Sequence, residues 1–325
     1  MRFKARRNLK AELWPSFLLF NDPPRGVSAP RGAFTLTPGL PSSAMKNLPR
    51  SILTVLTLTS ASALGQTQPP ADSAPATPSA TATPAPAVTT TPPAVVKLGS
   101  GFSYIRGDFG FTQDTELWSV PVNVSYDLPR WSLKAAFSWL SIKGPANIAS
   151  GSAPVGGAPR PTSSTESGIG DTSLAATFHA HDVPGDVKVD LTGRVKLPTA
   201  DEDKGLGSGE TDYYVQTDLS QTFGQVTVFA TLGYRFMGSN ATNPLKDGPF
   251  ATAGAAYAMA GGKAVVGAAY DWQSRTLAGA DPGSNLIGFI ATSPNDRWTL
   301  VGFGLVGFND ASPELGLGGL ATYKF

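Results

Sequence analysis

The stretch DVKVDLTGRVKLP, residues 186–198, places Val187, Val189, Leu191, Val195 and Leu197 on one side of an extended chain and Lys188, Asp190, Thr192, Arg194 and Lys196 on the other. A period of two is the mark of a β-strand lying between an apolar phase and a polar one. TELWSVPVNVSYDLP repeats it, with Trp118, Val120, Val122, Val124 and Tyr126 opposite Ser119, Pro121, Asn123 and Ser125. In RWSLKAAFSWLS the apolar side is Trp131, Leu133, Ala135, Phe137 and Trp139. TDYYVQTDLSQTF sets Tyr213, Val215 and Leu219 against Asp212, Gln216 and Asp218, and VTVFATLGYRF sets Val226, Val228, Leu232, Tyr234 and Phe236 against Thr227, Thr231 and Arg235. Gly- and Ala-rich strands follow near 250–260, 263–273, 284–292 and 298–308, and the chain ends on GLGGLATYKF. With 97–104 and 169–180 added, the pattern predicts about twelve strands, an even number.

Loop lengths choose the topology. The connections after the even strands (DLPR, HDVPGD, FGQ, AGG, SPNDR) are short, whereas those after odd strands include KGPANIASGSAPVGGAPRPTSSTESG and PTADEDKGLGSGE. Short turns at one end and long loops at the other are the layout of an antiparallel up-and-down transmembrane β-barrel, whose termini lie together on the periplasmic side. A soluble sandwich has no reason to segregate its loops in this way. Trp and Tyr at both ends of the apolar stripes match the aromatic belts that meet lipid headgroups. In lipid the sheet must close, because hydrocarbon offers no partner to an unpaired strand edge. The last strand, with Leu317, Ala321, Tyr323 and Phe325 toward lipid, is therefore expected to pair with the strand at 97–104.

The barrel is expected to fill residues 95–325. Upstream, Met45 opens MKNLPRSILTVLTLTSASALGQ, a basic start followed by a short apolar run and a small-residue cleavage site, which predicts a signal peptide over 45–65. Residues 1–44 are then an upstream extension. Residues 66–94 are nearly all Pro, Ala, Thr and Ser, too poor in apolar surface to offset the entropy of folding, and read as a disordered tether that could meet a cell-envelope partner. The net charge of +1 conceals an uneven distribution: residues 1–50 hold nine of the 25 Lys and Arg but only two of the 24 Asp and Glu. Residues 51–65 carry no charge, so the rest of the chain balances at 16 minus 22, or −6, which argues against nucleic-acid binding. There is no cysteine, so thiolate metal sites and disulfides are excluded.

SGIGDTSLAATFHA and the span from VKLPTADEDKGLGSGETDYYVQ to FATLGYRF resemble a family of outer-membrane proteins grouped as transporters of the phenol-degradation meta-pathway type. The matching residues are Gly168, Gly170 and Asp171, the run Lys196-Leu197-Pro198-Thr199, Gly207, Gly209 and Asp212, and Gly233-Tyr234-Arg235. The likeness covers roughly 97–325, with its motifs concentrated in 167–236. It implies a barrel in outer-membrane lipid and uptake of small, often aromatic compounds, and it supplies no catalytic residue. Tyr323 and the terminal Phe325 look like the aromatic signal read by barrel-assembly machinery.

The candidate site is the charged inner face. Lys188, Asp190, Arg194, Lys196, Asp212, Asp218 and Arg235 come from three consecutive strands and are expected to enter one lumen. There they would pair with one another and fill the barrel, or form a mixed-charge constriction that selects small-molecule permeants. His179 and His181 are read as solvated turn residues. A hydrolase would instead need a Ser or Asp nucleophile with a placed base and an oxyanion site. Asp201, Glu202, Asp203 and Glu210 lack the spacing of an EF-hand and read as a solvated acidic loop. Gly205, Gly207 and Gly209 lead into a strand and not a helix, which argues against a phosphate loop. No metal, cofactor or enzymatic activity is expected. The functional reading is a passive channel or transporter; its alternatives are an outer-membrane hydrolase and a structural or adhesive barrel held through its tether.

Overall fold

The computed structural model describes residues 94–150, 153–155, 164–180, 186–259 and 264–325. The predicted extension, signal peptide and nearly all of the tether lie outside the described residues, as do His181 and most of the loop after Lys143. The strands are β1 (Val95–Gly107), β2 (Thr115–Asp127), β3 (Trp131–Lys143), β4 (Asn147–Ser150), β5 (Ala153–Val155), β6 (Thr165–Ile169), β7 (Thr172–Ala180), β8 (Lys188–Leu197), β9 (Asp212–Phe223), β10 (Val226–Phe236), β11 (Gly248–Ala258), β12 (Ala264–Gln273), β13 (Gly283–Asn295), β14 (Trp298–Gly307) and β15 (Leu315–Lys324).

All pairings are antiparallel, and the ring closes where Lys97 to Arg106 of β1 meet Lys324 to Leu315 of β15. Thirteen strands share the sheet, but β6 and β7 lie end to end along β3, so twelve staves surround the lumen. The stave written as one strand in the sequence is broken at Gly170 and Asp171, where Gly170 N–H donates to Ser138 O. A Cβ on Gly170 would press on Leu140, which explains the glycine. The long loop also holds a small separate hairpin, β4–β5, that the alternation does not predict.

The outer face is apolar and exposed: Leu98, Phe102, Val124, Leu133, Phe137, Leu191, Val215, Leu232, Ile290 and Leu317 all stand on it. Two aromatic girdles border this belt. Tyr104 and Trp118 lie 4.8 Å apart near the long-loop end, and Tyr270 and Phe308 6.1 Å apart. At the short-turn end Trp131 meets Phe178 at 5.1 Å, and Trp298 meets Tyr323 at 5.0 Å. A closed sheet leaves no edge for hydrocarbon to starve of hydrogen bonds, and the belt buries its side chains in lipid. This is an all-β transmembrane barrel of the outer-membrane type.

The glycine content has a packing cause. Inward-facing Phe229, Phe250, Phe289 and Phe303 each lie across a glycine that is their direct cross-strand partner: Gly254, Gly233, Gly267 and Gly318. A side chain on any of the four glycines would collide with the ring. Glycines let a sheet bend, and an aromatic ring laid over one helps to pin the register of the strands.

Candidate functional site

The strand tilt makes register-paired residues climb the barrel as spirals, and each inward-facing spiral has its own chemistry. One row runs Lys324, Lys97, Ser125, Lys134, Ala175, Arg194, Tyr214, Arg235, from the short-turn end of β15 to the loop end of β10. It holds five cations and no carboxylate. Two residues toward the turns along each strand, a neutral row runs Ser132, Thr177, Thr192, Gln216, Gly233. The next is acidic: His179, Asp190, Asp218, Thr231, Thr252, Asp271, Asn285. The rows beyond begin polar, at Lys188 and Ser220 and at Thr222 and Thr227, and then turn apolar, where Phe229, Ala256, Val265, Ala269, Ile287, Phe289, Val301, Leu305 and Leu320 form a buried cluster.

Of the seven residues singled out in the sequence, Arg194, Lys196, Asp212 and Arg235 are buried on the inner face, while Lys188, Asp190 and Asp218 are half-buried there. They do not act as one unit. Lys196 Nζ lies 2.9 Å from Asp171 Oδ2 and 3.0 Å from Asp212 Oδ2, and donates to Ser208 Oγ at 2.8 Å. Asp171 Oδ1 accepts from Ala200 N–H at 3.1 Å, and Asp212 Oδ1 from Gly238 N–H at 2.9 Å. The cluster therefore fastens the segment 198–211 to the barrel wall. That segment carries Leu206 onto Leu117, Leu140, Ile142 and Ile148, an apolar pack at the loop end of β2 and β3. Ile148 N–H donates to Gly205 O, joining the two inward-folded loops.

Arg194 lies over the Tyr214 ring, 3.5 Å from its centroid. Arg235 donates to Gln273 Oε1 at 2.8 Å and to Thr276 Oγ1 at 3.0 Å. Asp218 accepts from Thr231 at 2.6 Å and from Gln216 at 2.8 Å. In the acidic loop Asp201 pairs with Lys204 at 3.4 Å and Glu210 accepts from Asn240 at 3.2 Å. Among the described residues no three metal-ligating side chains converge.

The structure corrects the reading of His179. It lies near the end of β7, as expected, but in the inward phase of the ladder opposite Asp190, so it is a buried inner-face residue and not a solvated turn residue. Its Nδ1 lies 2.8 Å from Asp190 Oδ1 and its Nε2 2.9 Å from Ser132 Oγ. A neutral imidazole that donates Nδ1–H to the carboxylate accepts from the hydroxyl at Nε2, the hydrogen-bond order of a serine-hydrolase triad. Sequence reasoning missed Ser132 because the partner strand lies 47 residues away and only the register brings them together. Lys134 and Lys97 were missed for the same reason. Lys97 is ion-paired with Asp127, whereas the Lys134 ammonium, buried on β3, meets no acceptor among the described residues.

No protein-family model matches the chain, and no curated protein matches it. Solved structures do. The crystal structure of an outer-membrane channel from Pseudomonas putida F1 aligns with a TM-score of 0.54 at 12% identity, covering 74% of this chain and all of that one. This likeness establishes the fold. The CymD monoaromatic hydrocarbon channel aligns at a TM-score of 0.40 and 11% identity, covering 71% and 88% of the two chains. The outer-membrane phospholipase of Salmonella typhi aligns at 0.38 and 10%, covering 70% and 90%. These two are too remote to carry an argument about activity.

Proposed function

We propose that the chain is a passive outer-membrane channel or transporter for small molecules, aromatic or hydrophobic compounds among them. The observation that carries this is the inner face itself. A polar half with basic, neutral and acidic spirals faces an apolar half across one lumen, which suits a permeant with both characters. A lipid-anchoring barrel needs the outer belt but has no use for charges ordered by sign along its interior. Within this reading the chain is a member of the meta-pathway transporter type, with short turns and both termini in the periplasm. Tyr323 and Phe325 are its signal to the assembly machinery, and residues 66–94 are a tether that serves as an inert spacer. Entry from the long-loop end requires the segment latched by Lys196 to shift. Single-channel recording on folded, reconstituted protein tests the proposal: discrete conductance steps are expected, and a correctly folded barrel that stays electrically silent would overturn it.

Ser132, His179 and Asp190 favour a second reading, a hydrolase. Against it, among the described residues, stands the lack of a backbone oxyanion hole. The backbone N–H groups around Ser132 lie in the ladders to β2 and β7, and the inward neighbour of Ser132 on β2 is the carboxylate Asp127. A developing negative charge beside a carboxylate is opposed, whereas acyl transfer needs donors aimed at it.

A further inference from the structure

We infer that Lys134 and Arg194 form a carboxylate-binding subsite within the lumen, one that takes a small organic anion with an apolar body. The inference rests on the channel reading and names its substrate class. The two cations stand on β3 and β8, in one register row, with only the small Ala175 between them on β7. Tyr214, the other neighbour of Arg194 in that row, holds the guanidinium by its ring face.

Carboxylates along this wall have cation partners of their own. Asp127 is taken by Lys97, and Asp171 and Asp212 by Lys196. Lys134 is 7% exposed, and no described group accepts a hydrogen bond from its ammonium. A buried, unpaired ammonium is costly, and a carboxylate docked on it removes that cost with a charge-assisted hydrogen bond. Arg194 offers a planar donor face to the same anion.

The rest of the ligand follows from the ring order. In a ring of twelve staves, β12 stands six staves from β3 and β14 six from β8, so both lie across the lumen. Their inward side chains include Val265, Ala269, Val301 and Leu305 of the buried apolar cluster, with Asp271 nearer the loop end of β12. A carboxylate on the cationic wall thus leaves the remainder of the molecule facing apolar side chains. Aromatic monocarboxylates have this shape, with acetate as the control that keeps the head and lacks the body.

The experiment is a calorimetric titration of benzoate into the full chain folded in detergent, run beside bilayer recordings on the same preparation. Benzoate is expected to bind at one saturable site and to block current, with acetate weaker at both. Lys134→Met, which removes an unpaired buried charge and so should fold, is expected to weaken benzoate about tenfold or more. Lys134→Arg should restore most of the loss. In a salt gradient the reversal potential of the wild type should report anion preference, and Lys134→Glu should shift it toward cations. Benzoate affinity unchanged in a folded Lys134→Met barrel overturns the subsite, even when the barrel conducts. Saturable binding lost in Lys134→Met, together with electrical silence, would retain the subsite and overturn the channel.

Discussion

The wall made by β3, β7, β8, β9 and β10 and the wall made by β11 to β15 carry the same outer belt and opposite interiors. On the first, inward positions hold Lys134, His179, Arg194, Lys196, Asp212, Asp218 and Arg235, and nearly every one is tied to a neighbouring strand by a hydrogen bond or ion pair. On the second, the acidic row ends in Thr252, Asp271 and Asn285 toward the loops, and below it Ala256, Val265, Ala269, Ile287, Phe289, Val301 and Leu305 pack as one apolar cluster against glycines. The first wall is held by directional contacts that fix where each charge sits. The second is held by shape. A permeant can exchange partners along the charged wall while sliding past the apolar one, so one wall selects and the other tolerates.

The comparison breaks most visibly at Lys196. Its side chain and those of Asp171 and Asp212 are 1%, 1% and 0% exposed, so Lys196→Met strands two buried carboxylates. Removing one partner of such a cluster costs about 3–5 kcal/mol. The folded barrel should melt at markedly lower urea, read by heat-modifiable gel mobility, and the freed 198–211 segment should raise open-state conductance. A melting midpoint equal to wild type would mean that the latch carries no weight.

The next effect tests the two sides of a single strand. Leu191 is exposed on the outer face of β8 and Thr192 is buried on the inner face, paired to Thr177 by a 2.9 Å hydroxyl contact. Lysine at Leu191 should cost about 2–4 kcal/mol at the bilayer midplane, whereas lysine at Thr192 enters a polar row and should cost less. Refolding yield into lipid vesicles gives the comparison, and equal yields would mean that inside and outside have been exchanged.

How much of this was legible in the sequence differs between the walls. On β8 to β10 the outer face is apolar and the inner one charged, so alternation alone places Lys188, Asp190, Arg194 and Arg235 on the inner side. On β11 to β15 the inner face is mostly apolar or glycine, broken by Thr252, Asp271 and Asn285, so the alternation fades and an apolar stretch of inner wall cannot be told from a weak strand. The spirals were beyond reach for another reason. Lys134 and Arg194 share a row only through the register of β7, whose phase is reset by the break at Gly170 and Asp171 after a long loop. His179 is misread although the expected strand, 169–180, contains it: a strand-end residue reads as solvated, whereas its inward phase sets it against Asp190 and Ser132 of the flanking strands. Strand existence follows from local pattern, while register and strand ends are set by neighbours distant in sequence.

The smallest expected effect decides what the Ser132–His179–Asp190 chain of hydrogen bonds is for. If it belongs to the charged wall as scaffolding, Ser132→Ala removes one hydrogen bond from a network that His179 still shares with Asp190, a loss of about 0.5–1.5 kcal/mol. The urea midpoint should fall slightly, and conductance should be nearly unchanged, because Ser132 lies in the neutral row and carries no charge. A triad would behave otherwise. His179 would draw the proton from Ser132 Oγ, and the hydroxyl would react with a fluorophosphonate probe in wild type but not in Ser132→Ala. Folded wild-type barrel is expected to remain unlabelled, since the backbone donors beside Ser132 are spent in the sheet and Asp127 faces it from the next strand. Labelling that disappears with Ser132→Ala and with His179→Gln would transfer this corner of the wall from scaffold to catalyst, and would make the selecting wall a reacting one.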